Sequence, residues 1–206
     1  MPPRKKTTKI KDKWREKKWI HIEAPSYFGN TPIAYIPITD EQNAIGRVVQ
    51  TTLYDLTKQD PQHYAIKLSF QIEKIHDNKA ITILKCQEYS REYLRSLVRR
   101  GSSMVNFIHD YITKDKFVVR IYTIYFTQGR ANSSRKHALR MVAHKILSEK
   151  VSNQPYNQFA QEVVLGKLAS DIFNEVKKVM HVRHVGIMKT KLLKQGEMIA
   201  EVLPPV

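Results

Sequence analysis

Alternating hydrophobic and polar residues predict a β-hairpin in the first half of the chain. Residues 64–72 alternate at the period of a strand with one buried face. The segment HDNK at residues 76–79 has the composition of a turn, and residues 80–88 resume the alternation. Two such runs separated by a short turn are typical of an antiparallel hairpin.

Further strands are predicted on both sides of this hairpin. Folded structure is expected to begin at residues 19–23, and residues 46–56 are rich in β-branched side chains. Residues 117–127 are apolar at nearly every position, which predicts a central strand covered on both faces. Residues 182–193 form the last predicted strand. Between the first two strands, a loop is indicated by Pro25, Gly29, Pro32 and Pro37.

Helical spacing predicts three helices between and after these strands. Ser90 can cap a helix over residues 91–100, and the capping cluster at 132–134 precedes a second one. A third is expected over residues 158–180. The apolar stripes expected to be buried are Leu94, Leu97 and Val98 in the first, Leu139, Val142, Ala143 and Ile146 in the second, and Ala160, Val163, Val164, Leu168, Ile172, Val176 and Val179 in the third.

These elements predict an α+β fold with a curled mixed β-sheet or β-barrel core, flanking helices and a basic N-terminal arm. We expect a disordered, RNA-binding arm at residues 1–18, one domain at 19–195 and a tail at 196–206. No apolar segment follows the basic N-terminus, and no stretch approaches the roughly 18–20 apolar residues of a membrane helix. A cytoplasmic protein without a membrane partner is therefore expected.

The net charge of the chain indicates the class of its binding partner. The chain carries 35 Lys and Arg against 19 Asp and Glu, a formal charge of +16. Charge of this size is self-repulsive, and binding to a polyanion relieves the repulsion. Nucleic acid is therefore the expected partner class, with an anionic membrane surface as the weaker alternative.

The N-terminal segment concentrates this charge. Residues 1–18 hold nine basic and two acidic side chains, which is +7 of the total. Such a composition fits both a solvated tail and an arm that folds onto phosphates, and Trp14 can stack on a base or anchor in a core. The candidate RNA-binding residues of the arm are Arg4, Lys5, Lys6, Lys9, Lys11, Lys13, Trp14, Arg15, Lys17 and Lys18.

Two predicted helices carry further basic side chains. In the helix at 91–100, Arg91, Arg95 and Arg99 are spaced to share one face. Residues 130–145 contain no acid, and Lys136, Arg140 and His144 are expected opposite the apolar stripe. The remaining candidate RNA-binding residues are Arg47, Arg91, Arg95, Arg99, Arg100, Arg130, Arg135, Lys136 and Arg140. A second acid-free stretch, residues 177–196, adds Lys178, Arg183, Lys189, Lys191 and Lys194. Charge on several elements predicts binding to an RNA backbone at many points.

Enzyme motifs are not found. The sequence has no Gly-rich phosphate loop, GxSxG, HExxH or dinucleotide fingerprint, so no catalytic residue, cofactor or metal site is predicted. Cys86, within an apolar strand, is expected to be a small core residue. Asp55 and Glu73 keep a metal-dependent RNA-processing nuclease open as an alternative, although neither lies in a DxD or ExK spacing. A free RNA-binding regulator or chaperone is the other alternative.

Several blocks resemble one ribosomal protein family. The segment IGRVVQTTLYDL (45–56) is similar to a signature of the archaeal and eukaryotic small-subunit family called S3Ae, or e-type S-one. In the family's order and spacing stand KDKWREKKW (11–19), APSYFG (24–29), REYLRSLVRRGSS (91–103), TKDKFVVR (113–120) and VRHVGIMKTKLL (182–193). Gln50 replaces a usual glutamate, and Gly101 replaces a usual basic residue. The chain lacks the long C-terminal extension of eukaryotic members, which indicates an archaeal member.

The resemblance implies a structural role in translation. It implies a curled sheet or barrel on the small-subunit platform, near the mRNA exit channel and the 3′ end of the small-subunit rRNA. The implied partners are small-subunit rRNA, neighbouring small-subunit ribosomal proteins and mRNA near the exit. The residues themselves indicate a basic RNA-binding protein with several binding surfaces, and this agrees with the role that the resemblance implies.

Overall fold

A mixed eight-stranded sheet lies at the centre of the fold. Residue 12 and residues 14–196 are described by a computed structural model. The strands are β1 (Lys18–Glu23), β2 (Pro32–Ile38), β3 (Val48–Thr52), β4 (Ile66–His76), β5 (Lys79–Tyr89), β6 (Met104–Ile112), β7 (Val118–Thr127) and β8 (Val182–Lys194). The helices are α1 (Leu53–Thr57), α2 (Arg91–Leu97), α3 (Ser133–Asn153), α4 (Tyr156–Val164) and α5 (Lys167–Val179), with short 3₁₀ turns at Ser26–Phe28, Glu41–Asn43 and Pro61–Ala65.

Strand β5 organises the sheet. One edge of β5 pairs with β4 along its length, and β3 pairs with β4. The other edge of β5 is shared, because β1 pairs in parallel with residues 79–81 and β8 pairs antiparallel with residues 86–88. Strand β8 therefore lies between β5 and β7, with β6 beyond β7. The α+β class with a curled mixed sheet is confirmed, and the sheet is open at β2, β3 and β6 instead of closed into a barrel.

Two hydrophobic cores hold the sheet. The larger one lies under α3, α4 and α5, where Phe70 and Tyr125 of the sheet and Leu147 of α3 have no exposed surface. The smaller one lies under the β1–β2 hairpin and contains Ile20 and Ile22. A fully buried large aliphatic side chain contributes about 1.5–3 kcal/mol, so these two layers supply most of the driving force for folding.

The predicted hairpin is confirmed. Strands β4 and β5 pair from Ile66 opposite Tyr89 to His76 opposite Lys79. Between them, Asp77 and Asn78 both have positive φ angles, 45° and 65°. Asp and Asn tolerate this region, and two consecutive positive φ angles make the tight turn that matches the twist of a hairpin.

Strand β2 was missed because its prolines indicated a loop. Pro32 and Pro37 both lie within β2, which in the described part of the chain pairs with β1 alone. Proline has no N–H to donate, and an edge strand can hold it with that position facing away from the ladder. The predicted strand at 46–56 is wrong in its second half for a different reason. Thr52 ends β3 and caps α1, and Asp55 completes the capping box.

The single helix predicted over 158–180 is two helices. Helix α4 ends before Gly166, whose φ of 78° breaks the helix, and α5 begins at Lys167. The predicted buried residues of this region are confirmed except Val179, which is 39% exposed. In β7, complete burial on both faces is limited to residues 123–127, and the first half alternates. The division into arm, domain and tail stays a prediction.

Candidate nucleic-acid interface

Helix α2 presents two arginines to solvent. The hydroxyl of Ser90 accepts a hydrogen bond from the backbone N–H of Tyr93 at 3.3 Å, which confirms the predicted cap. Arg91 and Arg95 are exposed and lie one turn apart. The prediction that Arg99 continues this face is wrong, because the helix ends at Leu97. Val98 is extended and 57% exposed, so it is not part of a buried stripe.

Aromatic packing anchors α2 on the sheet. The centre of the Tyr93 ring lies 5.3 Å from that of Tyr89 and 6.1 Å from that of His184. The Arg183 guanidinium of β8 donates to the carbonyl of Leu97, at the C-terminal end of α2. A cation at this position also complements the helix dipole. Arg183 therefore serves the fold, unlike the exposed arginines of α2.

The segment after α2 is tied to the loop before α3 through Ser103. The backbone N–H of Ser103 donates to the Thr127 hydroxyl at 2.8 Å, and the Thr127 N–H donates to the Ser103 carbonyl at 3.0 Å. The Ser103 hydroxyl accepts from the Ala131 N–H at 3.1 Å. These bonds bring the loop that carries Arg99 and Arg100 against the loop that carries Arg130.

We name the resulting surface the arginine corner. It consists of exposed arginines from α2, the loop after it and the start of α3: Arg95, Arg99, Arg100, Arg130 and Arg135. Two basic groups that are separate in the sequence thus belong to one region of the fold. The sequence predicted the residues but not their convergence.

The corner arginines have no carboxylate partner among the described residues. Other basic side chains do, as in Lys79–Glu23, Arg120–Asp110, Lys150–Asp171, Lys178–Glu175 and Lys189–Glu88. A group of exposed guanidinium ions without counter-charge repels itself and attracts phosphate, which the planar guanidinium binds bidentately. The corner is therefore suited to the backbone of a nucleic acid.

The basic row of α3 does not face away from the core as predicted. Lys136, Arg140 and His144 are half-buried, and the last two directly follow the buried Leu139 and Ala143. Arg140 Nε donates to the Asn106 carbonyl of β6 at 3.1 Å. His144 Nδ1 lies 3.2 Å from the Tyr111 hydroxyl. This row packs along β6 because the helix buries positions 139, 143, 147 and 151 and places their neighbours at the sheet edge.

The face of the sheet opposite α3, α4 and α5 carries Lys189 and Lys191 of β8. Lys189 pairs with Glu88 at 2.9 Å, so part of the acid-free stretch at 177–196 gains a counter-charge from another strand. Arg120 forms two hydrogen bonds with Asp110, at 2.6 and 2.8 Å, and they lower the pKa of that carboxyl. Arg47 is exposed, with Nε donating to the Asn43 carbonyl at 2.8 Å.

Cys86 lies on the same face as Lys189, paired in register with Lys191 of β8, and is half-buried. The prediction that it is a core residue is wrong, because the side chain is only half-buried and belongs to neither core of the described residues. Burial raises the pKa of its thiol, which disfavours the thiolate that a nucleophile needs.

Asp55 and Glu73 do not form a common site. The Asp55 carboxylate accepts hydrogen bonds from the hydroxyls of Thr51 and Thr52 at 3.2 and 2.6 Å, which lower its pKa. It completes the cap of α1. Thr52, which caps α1 together with Asp55, pairs with Lys67 of β4. Glu73 lies six residues further along β4, and six strand residues span about 20 Å. Its carboxylate accepts from Gln195 at 2.8 Å.

The predicted arm is described only in part. Arg4, Lys5, Lys6, Lys9, Lys11 and Lys13 lie outside the described residues. Trp14 is 62% exposed, and Lys17 Nζ lies 3.8 Å from the centre of its ring. Arg15 Nε lies 3.8 Å from Asp12 Oδ2, and Lys18 begins β1. The role of these residues in RNA binding stays a prediction.

Sequence reasoning missed an exposed aromatic face next to this segment. Trp19 of β1 and Tyr35 of β2 are 58% and 60% exposed, and the rings of His21 and Tyr35 lie 4.5 Å apart. The available signal was the alternation of Trp19 and His21 with Ile20 and Ile22. Tyr35 gave no signal because β2 was not recognised.

No helix in the described part of the chain is long and apolar enough to cross a membrane.

Comparison with known proteins identifies the family. Residues 5–196 match the model of the Ribosomal S3Ae family. The small ribosomal subunit protein eS1 of Saccharolobus islandicus is 44% identical over 188 residues, 91% of this chain and 90% of the relative. The proteins of the same name from Sulfurisphaera tokodaii and Desulfurococcus amylolyticus are 42% identical over 187 residues (91% and 96% covered) and 39% identical over 201 residues (96% and 94% covered). The chain therefore belongs to the Ribosomal S3Ae family.

Proposed function

We propose that this chain is a structural constituent of the small ribosomal subunit and binds rRNA through the arginine corner. Membership of the Ribosomal S3Ae family and the similarity to small ribosomal subunit proteins eS1 support the role in the small subunit. The observation that carries the rRNA contact is the convergence of exposed arginines without carboxylate partners, held by the hydrogen bonds of Ser103. No catalytic step is part of this proposal.

The corner acts on the RNA backbone. Guanidinium groups on a helix, a loop and a second helix reach phosphates in different directions, so they recognise the shape of folded RNA more than its sequence. Each phosphate neutralised releases bound counter-ions, which makes the affinity depend steeply on salt. The hydrogen bonds between the loops place the arginines before RNA arrives, and this lowers the entropy lost on binding.

The resemblance supports a finer placement within the same proposal. The protein lies on the small-subunit platform near the mRNA exit channel, in the cytoplasm of an archaeal cell. Its further partners are neighbouring small-subunit ribosomal proteins, and mRNA passes near it.

Sedimentation of native lysate tests the proposal. A corner variant, with Arg95→Ala, Arg99→Ala and Arg130→Ala, is compared with a matched control, with Lys74→Ala, Lys114→Ala and Lys167→Ala. Both variants lose three exposed positive charges. We expect the wild type and the control to sediment with small subunits and the corner variant to shift toward free protein.

The wild-type profile alone can contradict the proposal. If the unmodified protein sediments mainly free of small subunits, the structural role is wrong. A free fraction that carries a specific mRNA leader would instead favour a regulator that acts outside the ribosome.

A further inference from the structure

Strand β1 separates apolar from aromatic side chains by face. Ile20 and Ile22 point into the smaller core and are 3% and 0% exposed. Trp19 and His21 alternate with them and are exposed on the other face. The register of β1 with β2 sets Trp19 opposite Pro37 and His21 opposite Tyr35. The outer face of this hairpin is therefore lined with rings, and we call it the aromatic face.

The exposure of these rings is unusual for a solvated surface. Trp19 and Tyr35 leave more than half of their area in water. The His21 ring meets the Tyr35 ring edge to face, with an interplanar angle of 65°. This contact fixes the tyrosine side chain and leaves much of its surface open. Neighbouring exposed aromatic rings are typical of a binding surface.

Positive charge accompanies the rings. The turn that leads into β1 contains Lys17, whose ammonium lies over the exposed Trp14 ring, and Lys18 begins the strand. Residues 1–18 carry a charge of +7. Stacking surfaces flanked by cations are what single-stranded nucleic acids require, because each base offers a flat face and each linkage a negative charge.

We propose that the aromatic face binds unpaired nucleotides of RNA, with bases stacked on Trp19 and Tyr35 and phosphates held by Lys17. A duplex does not fit this role, since its base faces are already stacked inside the helix. The inference rests on the proposed function insofar as RNA is the ligand class.

The aromatic face and the arginine corner are separate sites. Strand β1 pairs with residues 79–81 at one end of β5, and α2 follows the other end at Tyr89. The 11 residues of β5 span about 35 Å. A variant at one site therefore leaves the contacts of the other site in place.

Tryptophan fluorescence tests the inference, because both tryptophans of the chain, Trp14 and Trp19, lie in this region. The full-length protein is titrated with an unstructured single-stranded oligonucleotide of about 12 nucleotides and with a blunt duplex of the same length. We expect the single strand to quench the emission, including in the variant Trp14→Phe, which reports on Trp19 alone. Stacking on aromatic rings quenches indole emission, whereas phosphate contact to a duplex does not.

Affinity measurements complete the test. Trp19→Ala with Tyr35→Ala is expected to weaken single-strand binding roughly ten-fold or more. Tyr64→Ala removes an equally exposed ring (54% exposed) from another surface and is the matched control. The corner variant is expected to retain the quenching while losing affinity for folded rRNA. Unchanged melting temperatures establish that each variant is folded.

The results separate failure of the aromatic face as an RNA site from failure of the proposed ribosomal role. Equal quenching by duplex and single strand, or no quenching at all, overturns the aromatic face as a site for unpaired nucleotides. It is also overturned if the Trp19 and Tyr35 variant keeps full affinity for the oligonucleotide but fails to join the small subunit, because the face then contacts a protein. A wild type that quenches normally but sediments free would contradict the ribosomal role alone.

Discussion

The Ser103 hydroxyl accepts a hydrogen bond from the backbone N–H of Ala131, 28 residues later in the chain and at 3.1 Å. Both residues are neutral, yet their bond helps decide where the arginines of the corner lie. Arg100 comes shortly before Ser103, and Arg130 comes immediately before Ala131. The position of this charged surface is thus set partly by hydrogen bonds between uncharged residues.

The variant Thr127→Val tests this connection. The Thr127 hydroxyl is fully buried and accepts from the N–H of Ser103 at 2.8 Å. Valine has the same shape but leaves that donor without a partner, which costs about 1–3 kcal/mol in the free energy of unfolding. Urea unfolding measures the loss. Ser96→Ala, which removes an exposed bond within α2, is the control, and an equal effect of both changes would contradict the connection.

The salt dependence of rRNA binding should report on the corner. Each phosphate contact contributes roughly 0.7–0.9 to the slope of log K against log salt. We expect the corner variant to lower this slope by about 2–3 because it removes three arginines. Filter binding to an rRNA fragment at several salt concentrations measures it. Arg120→Ala should leave the slope nearly unchanged, since that arginine is paired with Asp110; an equal effect would mean that net charge alone controls binding.

Gly186 is expected to be sensitive to a single added methyl group. A Cβ at this position would lie 2.9 Å from Tyr89 Cε2 and 3.2 Å from His184 Nε2. Gly186→Ala should therefore cost about 1–3 kcal/mol, as overpacking in a filled site does. The cost should shrink when Tyr89 is also changed to Ala, and unfolding of the double variant measures that coupling.

Gly129→Ala provides the comparison for this effect. No heavy atom lies within 4 Å of the added Cβ, and the φ angle is not positive. Stability should be unchanged or slightly higher, because alanine restricts the unfolded chain. A loss at Gly129 as large as that at Gly186 would mean that the Tyr89 contact is not the cause.

His184 should make the fold sensitive to mild acid. Burial lowers its pKa, and Arg183 lowers it further. The folded state then binds fewer protons than the unfolded state, so stability rises with pH and is lost as the pH falls below about 6.5, the ordinary histidine value. His184→Phe should flatten the melting temperature between about pH 6.5 and 5. The exposed His137, changed to Gln, should leave the pH dependence as it is; a flat wild-type profile would disprove the effect.

The sequence predicted the elements that depend on local patterns. The β4–β5 hairpin, β7, β8 and the cap at Ser90 follow from alternation and turn chemistry close by in the chain. Strand β2 was missed because its prolines are acceptable only at a sheet edge, and edges are set by the tertiary fold. The break at Gly166 was missed because the apolar spacing continues through it.

For the candidate site, the sequence predicted which residues belong to it but not how they are arranged. Arginine composition identified the members of the corner, since the charge of a residue is visible in the sequence. The convergence of Arg100 and Arg130 depends on hydrogen bonds from Ser103 to Thr127 and Ala131. The periodicity of the sequence does not predict such long-range bonds. The orientation of Arg140 toward β6 depends on which stripe of α3 is buried, and a rotation of one residue changes it.

The position of β8 has a consequence for synthesis of the chain. Strand β8 is the last strand of the described residues, yet it occupies the middle of the sheet between β5 and β7. While residues 182–194 are still unsynthesised, the nascent chain holds two incomplete half-sheets whose inner edges offer unpaired backbone groups. Completion of the sheet must therefore wait for β8. A chain terminated before Val182 would therefore be expected to aggregate, even though it contains every arginine of the corner.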